Sequence, residues 1–251
     1  MTEVVYLVPG VGLAEEERLR RQRIANEQCV ANVTVREAHE FAPRSIESAV
    51  EEAWAGLAAV RGGWAVRDEY DAVVIGCFGD PGLRPMRELL DVPVVGPAET
   101  TIHTAAQVAD RFGWLTILEE TVPTSHELAH EYGLADQCVS VRSVDAPVLS
   151  IDHESDELVD RMVTVGREAV EEDGAEALFP GCMSLSFAQR HEEIQERVGV
   201  PFLDPATLAL EQAATWARHG VGQSKRTYPS ANLEKLDALL GGADPPTADD
   251  D

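Results

Sequence analysis

The chain has 251 residues, enough to bury a sizeable core, and 44% of them are hydrophobic. Its 45 Asp and Glu stand against 20 Lys and Arg, a formal net charge of −25. That balance repels nucleic acid and anionic membranes, and the absence of an apolar run of about 18 residues argues against a membrane span.

In chain order, the strand candidates are VVYLV (4–8), VTV (33–35), AVVI (72–75), VPVV (92–95), WLTIL (114–118), CVSV (138–141), EALF (176–179) and VPFL (200–203). Segments with helical spacing lie between them, among them 15–29, 45–60, 154–172 and 206–219. Strands alternating with helices predict an α/β fold built on mainly parallel sheets. The residues GGADPPTADDD offer almost nothing to bury, so 241–251 reads as an acidic flexible tail.

The surface chemistry and the start of the chain suggest where it works. Only Lys225 and Lys235 are lysines, the other 18 basic residues being arginine. An acidic, lysine-poor surface suits concentrated salt, where screening relieves self-repulsion, so a halophilic setting is expected. The opening MTEVVYLVPG runs straight into a strand-like segment without a basic start, apolar stretch and cleavage site. With four cysteines and no CxxC pair, free thiols in a cytoplasmic protein are expected.

An internal echo organises the chain. YDAVVIGC, a helix-like stretch and VPVVGPAET are matched by GAEALFPGC, a helix-like stretch and VPFLDPATL. The Gly-Cys pairs lie 105 positions apart and the Pro-Ala pairs 108 apart. Duplication predicts two pseudo-symmetric lobes with a cleft between them. The first is 1–98, completed by the helix near 206–220, and the second is 99–205.

Ligands of open α/β sheets bind beyond the carboxyl ends of the strands. There the duplication places Cys77 and Cys182, each flanked by glycine and followed by a helix. Free cysteines are usually inert core residues. A pair related by internal symmetry instead suggests two bases on opposite walls of one cleft. One thiolate removes a proton from a carbon and the other thiol protonates the opposite face, which is racemisation without a cofactor. Glycines 76, 79, 82 and 181 would let the backbone approach an enolate oxygen.

The chain resembles the aspartate/glutamate/hydantoin racemase superfamily, in particular its hydantoin racemase branch. The resemblance rests on GCFGDPGL (76–83), VVGPAE (94–99), TVP (121–123), DGAEALFPGCMS (173–184) and GQSKRTYP (222–229), and runs from about residue 66 to 229. It implies two α/β lobes with Cys77 and Cys182 as the catalytic pair between them. Two departures bear on substrate. The Asn-Pro-Asn-Thr-like loop of the family reads VPGVG (8–12) here, keeping Pro9, and the second cysteine motif reads GCMSLSF.

Amino-acid racemases of the superfamily follow their cysteines with Asn-Thr and Thr-His, whereas Phe78-Gly79 and Met183-Ser184 follow them here. Such neighbours suit a flat, weakly charged ring, a 5-substituted hydantoin or a ureide such as allantoin. Phe78 and Met183 would pack on the ring, or serve only as core; amides near Phe78, Gly79, Met183 and Ser184 would bind the enolate. Pro9, Glu99, Thr116 and Lys225 are further binding candidates because they lie in the matching motifs. The expected partner is a small molecule, and a homo-oligomer is compatible with the sequence.

Competing signals are weaker. HELAH (126–130) matches the H-E-x-x-H zinc signature, yet Pro123 and Gly133 bracket a helix of about two turns whose first turn holds His126, and no third ligand stands out. No metal is expected. PGVGL lacks the third glycine of a dinucleotide turn. Cys29 and Cys138 read as structural, and Ser184 and Ser186 as helix caps. An amino-acid racemase, a maleate isomerase-like or decarboxylase-like relative, and a non-catalytic binding protein remain alternatives.

Overall fold

Parallel strands form two separate sheets in the computed structural model, which describes residues 1–236. In the first, β1 (Glu3–Val8), β2 (Asn32–Glu37), β3 (Ala72–Ile75) and β4 (Val94–Val95) lie in the order β2-β1-β3-β4. In the second, β5 (Phe112–Thr116), β6 (Cys138–Ser143) and β7 (Ala177–Pro180) lie in the order β6-β5-β7. β3, β5 and β7 are buried at every residue because helices cover both faces of the sheets. Edge strand β2 buries only Val33 and Val35, alternate residues.

The expected strand at 200–203 is reduced to one parallel bridge between Phe202 and Leu178. Its proline explains the curtailment, since Pro201 has no N–H to give the ladder. Its carbonyl still accepts from Leu178 N–H at 2.8 Å, as Pro93 accepts from Val73 N–H at 2.9 Å beside the two-residue β4.

The helices are α1 (Glu15–Gln28), α2 (Ala49–Val66), α3 (Leu83–Leu89), α4 (Pro97–Val108), α5 (Val122–Glu131), α6 (Asp156–Glu171), α7 (Met183–Ser186), α8 (His191–Val198) and α9 (Pro205–His219). α2 begins later than its spacing suggests because Ser48, not Ser45, caps it: the Ser48 hydroxyl accepts from Glu51 N–H. α9 lies on β1, β3 and β4 through the fully buried Ala206, Ala209, Leu210, Ala213 and Ala214. These small side chains let it approach the first sheet closely.

One buried cluster joins the two sheets through Tyr6, Phe78, Phe112, Trp114, Phe179 and Phe187. Phe78 meets Trp114 edge-on at 5.1 Å between centroids, and Tyr6 meets Phe187 at 5.5 Å. Among the described residues, no helix is long and apolar enough to cross a membrane. The acidic tail 241–251 lies outside the described residues.

Candidate active site

The two cysteines leave the two sheets in the same way. Gly76 N–H donates to Leu7 O at 2.7 Å, and Gly181 N–H donates to Leu115 O at 2.7 Å. Each ladder therefore runs one residue past its strand, and the next residue is Cys77 or Cys182 at the carboxyl edge. Glycine is required for close packing at both places. A Cβ at Gly76 would lie 2.7 Å from the Tyr6 ring, and one at Gly181 only 2.0 Å from Trp114 Nε1. At these two glycines the bare backbone therefore makes room for a buried aromatic ring, and both glycines also line the same cavity as the cysteines.

Both cysteines line one cavity of about 310 Å³. Pro9, Phe78, Gly79, Thr116, Met183 and Ser184 line it as well. Phe78 and Met183 are 2% and 3% exposed, so each is core and cavity wall at once. Thr116 holds Thr121 through its hydroxyl at 2.7 Å.

Glu99 and Lys225 do not line the cavity. The Glu99 carboxylate grips the buried Arg87, which also donates to Val94 O at 3.1 Å and to Tyr228 at 3.2 Å. Lys225 Nζ donates to Leu90 O at 2.8 Å and to Arg87 O at 3.3 Å. These two residues fasten the 222–229 segment to α3 and α4; their motifs are scaffold.

The loops that carry the cysteines are pinned by mirror-related devices. After Cys77, the buried Asp80 takes a left-handed φ of 52° and accepts from Ala98 and Glu99 N–H at the start of α4. After Cys182, Ser186 hydrogen-bonds Asp204, and both accept from Ala206 N–H at the start of α9. Ser186 therefore caps α9 rather than the helix after Cys182, which Cys182 itself precedes as the N-cap residue.

Each loop is also held from the other half of the chain. Arg21 on α1 donates to Ser184 Oγ at 3.0 Å, and Tyr132, just after α5, donates to Asp80 at 2.7 Å. Burial raises the Asp80 carboxyl to about 7, even though Tyr132 and the two α4 amides favour its charged form.

Burial pushes both candidate thiols up. At Cys77 the Gly79 N–H opposes this, while the charges of Cys182, Glu52 and Asp80 add to it. At Cys182 the amides of Ser184 and Leu185, the Arg21 cation and the Ser184 hydroxyl all oppose it. Burial also pushes up Cys29, and Cys138 to about 11. Both lie in the core, with Cys29 directed at Leu210 O.

Several cavity residues escape a reading of the sequence: Glu17, Arg21, Glu52, Trp114 and His153. Burial would raise the Glu17 carboxyl, but hydrogen bonds with His153, Arg20 and Arg21 outweigh it and hold the group far below the usual carboxylate range. The i, i+3 and i, i+4 spacing of Glu17, Arg20 and Arg21 is that of a solvated helix face, which hides their position at the sheet end.

The HELAH residues occupy α5, where His126, Glu127 and His130 are exposed. His126 is the fifth helical residue, because α5 begins at Val122 rather than after Pro123. Among the described residues no group of three His, Cys, Asp or Glu could hold a metal ion.

Comparison with known proteins agrees with this architecture. The sequence pattern of the Asp/Glu/Hydantoin racemase family matches residues 17–213. A hydantoin racemase from Rhizobium meliloti is 36% identical over 191 residues, covering 74% of this chain and 77% of that one. The structure of allantoin racemase from Klebsiella pneumoniae superimposes with a TM-score of 0.83 at 27% identity, covering 95% of this chain and 99% of that one. Allantoin racemase from Pseudomonas fluorescens gives 0.83 at 27% identity over 92% and 97% of the two chains. With two parallel sheets flanked by helices and most of its length matched, the chain belongs to the Asp/Glu/Hydantoin racemase family.

Proposed function

We propose that this chain racemises 5-substituted hydantoins or a related ureide ring such as allantoin, without a cofactor, using Cys77 and Cys182 as its two bases. Membership of the family makes the chain an isomerase of the racemase class. The observation that carries the two-base reading is that the cysteines continue matching strands into one cavity. The relatives named above act on hydantoins and allantoin, which supports the ring class.

In the reaction, one thiolate takes the C5 proton and the C5–H pair moves into the adjacent carbonyl as an enolate. The opposite thiol then gives its proton to the other face of C5. The net result is inversion with one proton passed from thiol to thiolate. Gly79 and Ser184 amides face the sulfurs, so we assign the enolate oxygen to the amides of Phe78 and Met183. Residues 1–98 with α9 form the first lobe in this reading, and 99–205 the second.

One enantiomer of a 5-substituted hydantoin in D2O, followed by polarimetry and proton NMR, tests the reading. Loss of rotation together with C5 deuteration, both faster than without protein, is expected. If neither hydantoins nor allantoin respond, the ring class is wrong. Arg44 also lines the cavity and favours a carboxylate-bearing substrate as second reading, so aspartate and glutamate belong in the same assay. The charge of −25 supports work in concentrated salt; a melting temperature that rises between about 0.1 and about 2 M KCl, over which the screening length shrinks roughly four- to fivefold, would agree.

A further inference from the structure

The two cysteine loops are held by equivalent contacts of opposite electrical character. The helix after the first strand of each pseudo-repeat reaches the cysteine loop of the other. From α1 the contact is a guanidinium: Arg21 Nη2 donates to Ser184 Oγ, two residues after Cys182. From the end of α5 it is a phenol on a carboxyl: Tyr132 to Asp80, three residues after Cys77.

The cation is fixed in place. Arg21 is 7% exposed, its Nε donates to Glu17 at 2.7 Å, and its guanidinium carbon lies 5.2 Å from the centre of the Phe187 ring. Glu17 is shared with Arg20 and His153, so the cluster keeps a net positive charge beside Cys182. The four-residue α7 also starts at Cys182 and turns two backbone amides toward its sulfur. Each loop holds a buried acid, Asp204 on Ser186 after Cys182 and Asp80 after Cys77, and the further charged neighbour of Cys77 is acidic as well. The Glu52 carboxylate stands 3.4 Å from where a Cβ of Gly79 would lie, and Asp80 is buried in the same loop. The pseudo-equivalent wall on α5 offers Thr124, Ser125 and Leu128 to the cavity and no cation. Tyr6, which interacts with both cysteines, is fully buried and stays a neutral phenol.

We propose that Arg21 is a positioning residue that makes the pair unequal, so that in the active resting enzyme, where one of the pair is ionised, the thiolate is Cys182 and the thiol is Cys77. This rests on the two-base reading above. The free enzyme then takes first the enantiomer whose C5–H faces Cys182. Cys182 gains that proton, Cys77 delivers its own to the opposite face, and the pair is left reversed. The resting state returns when the proton on Cys182 passes to water and Cys77 takes one from water, or when the opposite enantiomer is turned over.

Limiting iodoacetamide at pH 8 with peptide mapping by mass spectrometry tests the proposal, because alkylation follows the thiolate and needs no substrate. In the wild type, Cys182 is expected to be alkylated at least about threefold faster than Cys77, since a roughly tenfold advantage in thiolate is partly offset by the weaker nucleophilicity of the less basic sulfur. Arg21→Gln should lower that ratio measurably, the amides of α7 and the Glu52 carboxylate being left in place, and Arg21→Lys should keep it near the wild-type value. Glu52→Gln, which leaves Arg21 in place, should accelerate Cys77 and leave Cys182 unchanged. Faster alkylation of Cys77 in the wild type, or an unchanged ratio in folded Arg21→Gln, overturns the proposal. If Arg21→Gln does not fold, loss of the Cys182 lead in folded Arg21→Lys, which keeps the cation, overturns it. A wrong ring class would silence the racemase assay and leave these alkylation ratios intact.

Discussion

The hydroxyl of Tyr132 donates to Asp80 Oδ2 at 2.7 Å, tying the end of α5 to the loop that follows Cys77. The same carboxyl accepts from two amides of α4, so one buried acid joins three segments. Its pKa is raised to about 7, chiefly by burial, which means that the folded state binds its proton more tightly than the unfolded chain. Its contribution to stability is therefore fully present below the ordinary carboxylate value, and is lost as pH rises through about 7. Asp80→Asn removes this titration. The stability of the wild type relative to Asp80→Asn should fall between pH 4 and 7 by roughly 3 kcal/mol, measured by urea unfolding. A difference independent of pH would show that Asp80 does not titrate there.

Gly76 and Gly181 leave no room for a methyl group. Gly181→Ala and Gly76→Ala should each cost about 1–3 kcal/mol, since Trp114 and Tyr6 are wedged in the joint core. Racemase activity should fall with them, because displacement of the ring moves the adjacent cysteine. Urea unfolding and initial rates on the same samples check both effects.

Glu99 is expected to act on stability and not on substrate. Glu99→Gln leaves the buried Arg87 without its counter-charge, and Glu99 is a quarter exposed, so a cost of about 1–2 kcal/mol is expected. The KM for the ring substrate should stay within about twofold of wild type, less than one lost hydrogen bond would change it. A large rise in KM at unchanged stability would return Glu99 to the binding site.

The fold was legible in the sequence wherever both faces of a strand are buried. AVVI is an unbroken apolar run, and the WLT of the WLTIL segment is buried at every residue, because parallel sheets are covered on both sides. VPFL looked the same, but Pro201 leaves its segment only a bridge. The cysteines stood out through the internal echo, a signal that depends on two positions at once. Arg21 carried no such signal, since a helix reading EEERLRRQR is indistinguishable in sequence from a solvated one. Its importance comes from Ser184, 163 residues away in the chain. Lys225 shows the converse: it lies in a specific motif, yet holds backbone carbonyls at the end of α3.

The most direct test of the two-base account is deuterium exchange at C5 in the single variants Cys77→Ser and Cys182→Ser, run on each enantiomer separately in D2O. Each variant keeps one base on one face of the ring. The account predicts that inversion falls by at least about 100-fold in both variants. It also predicts that each still exchanges the C5 proton of one enantiomer with retention, and that the two variants choose opposite enantiomers. Exchange of the same enantiomer by both variants, or undiminished inversion by either, would contradict a mechanism in which Cys77 and Cys182 work from opposite faces.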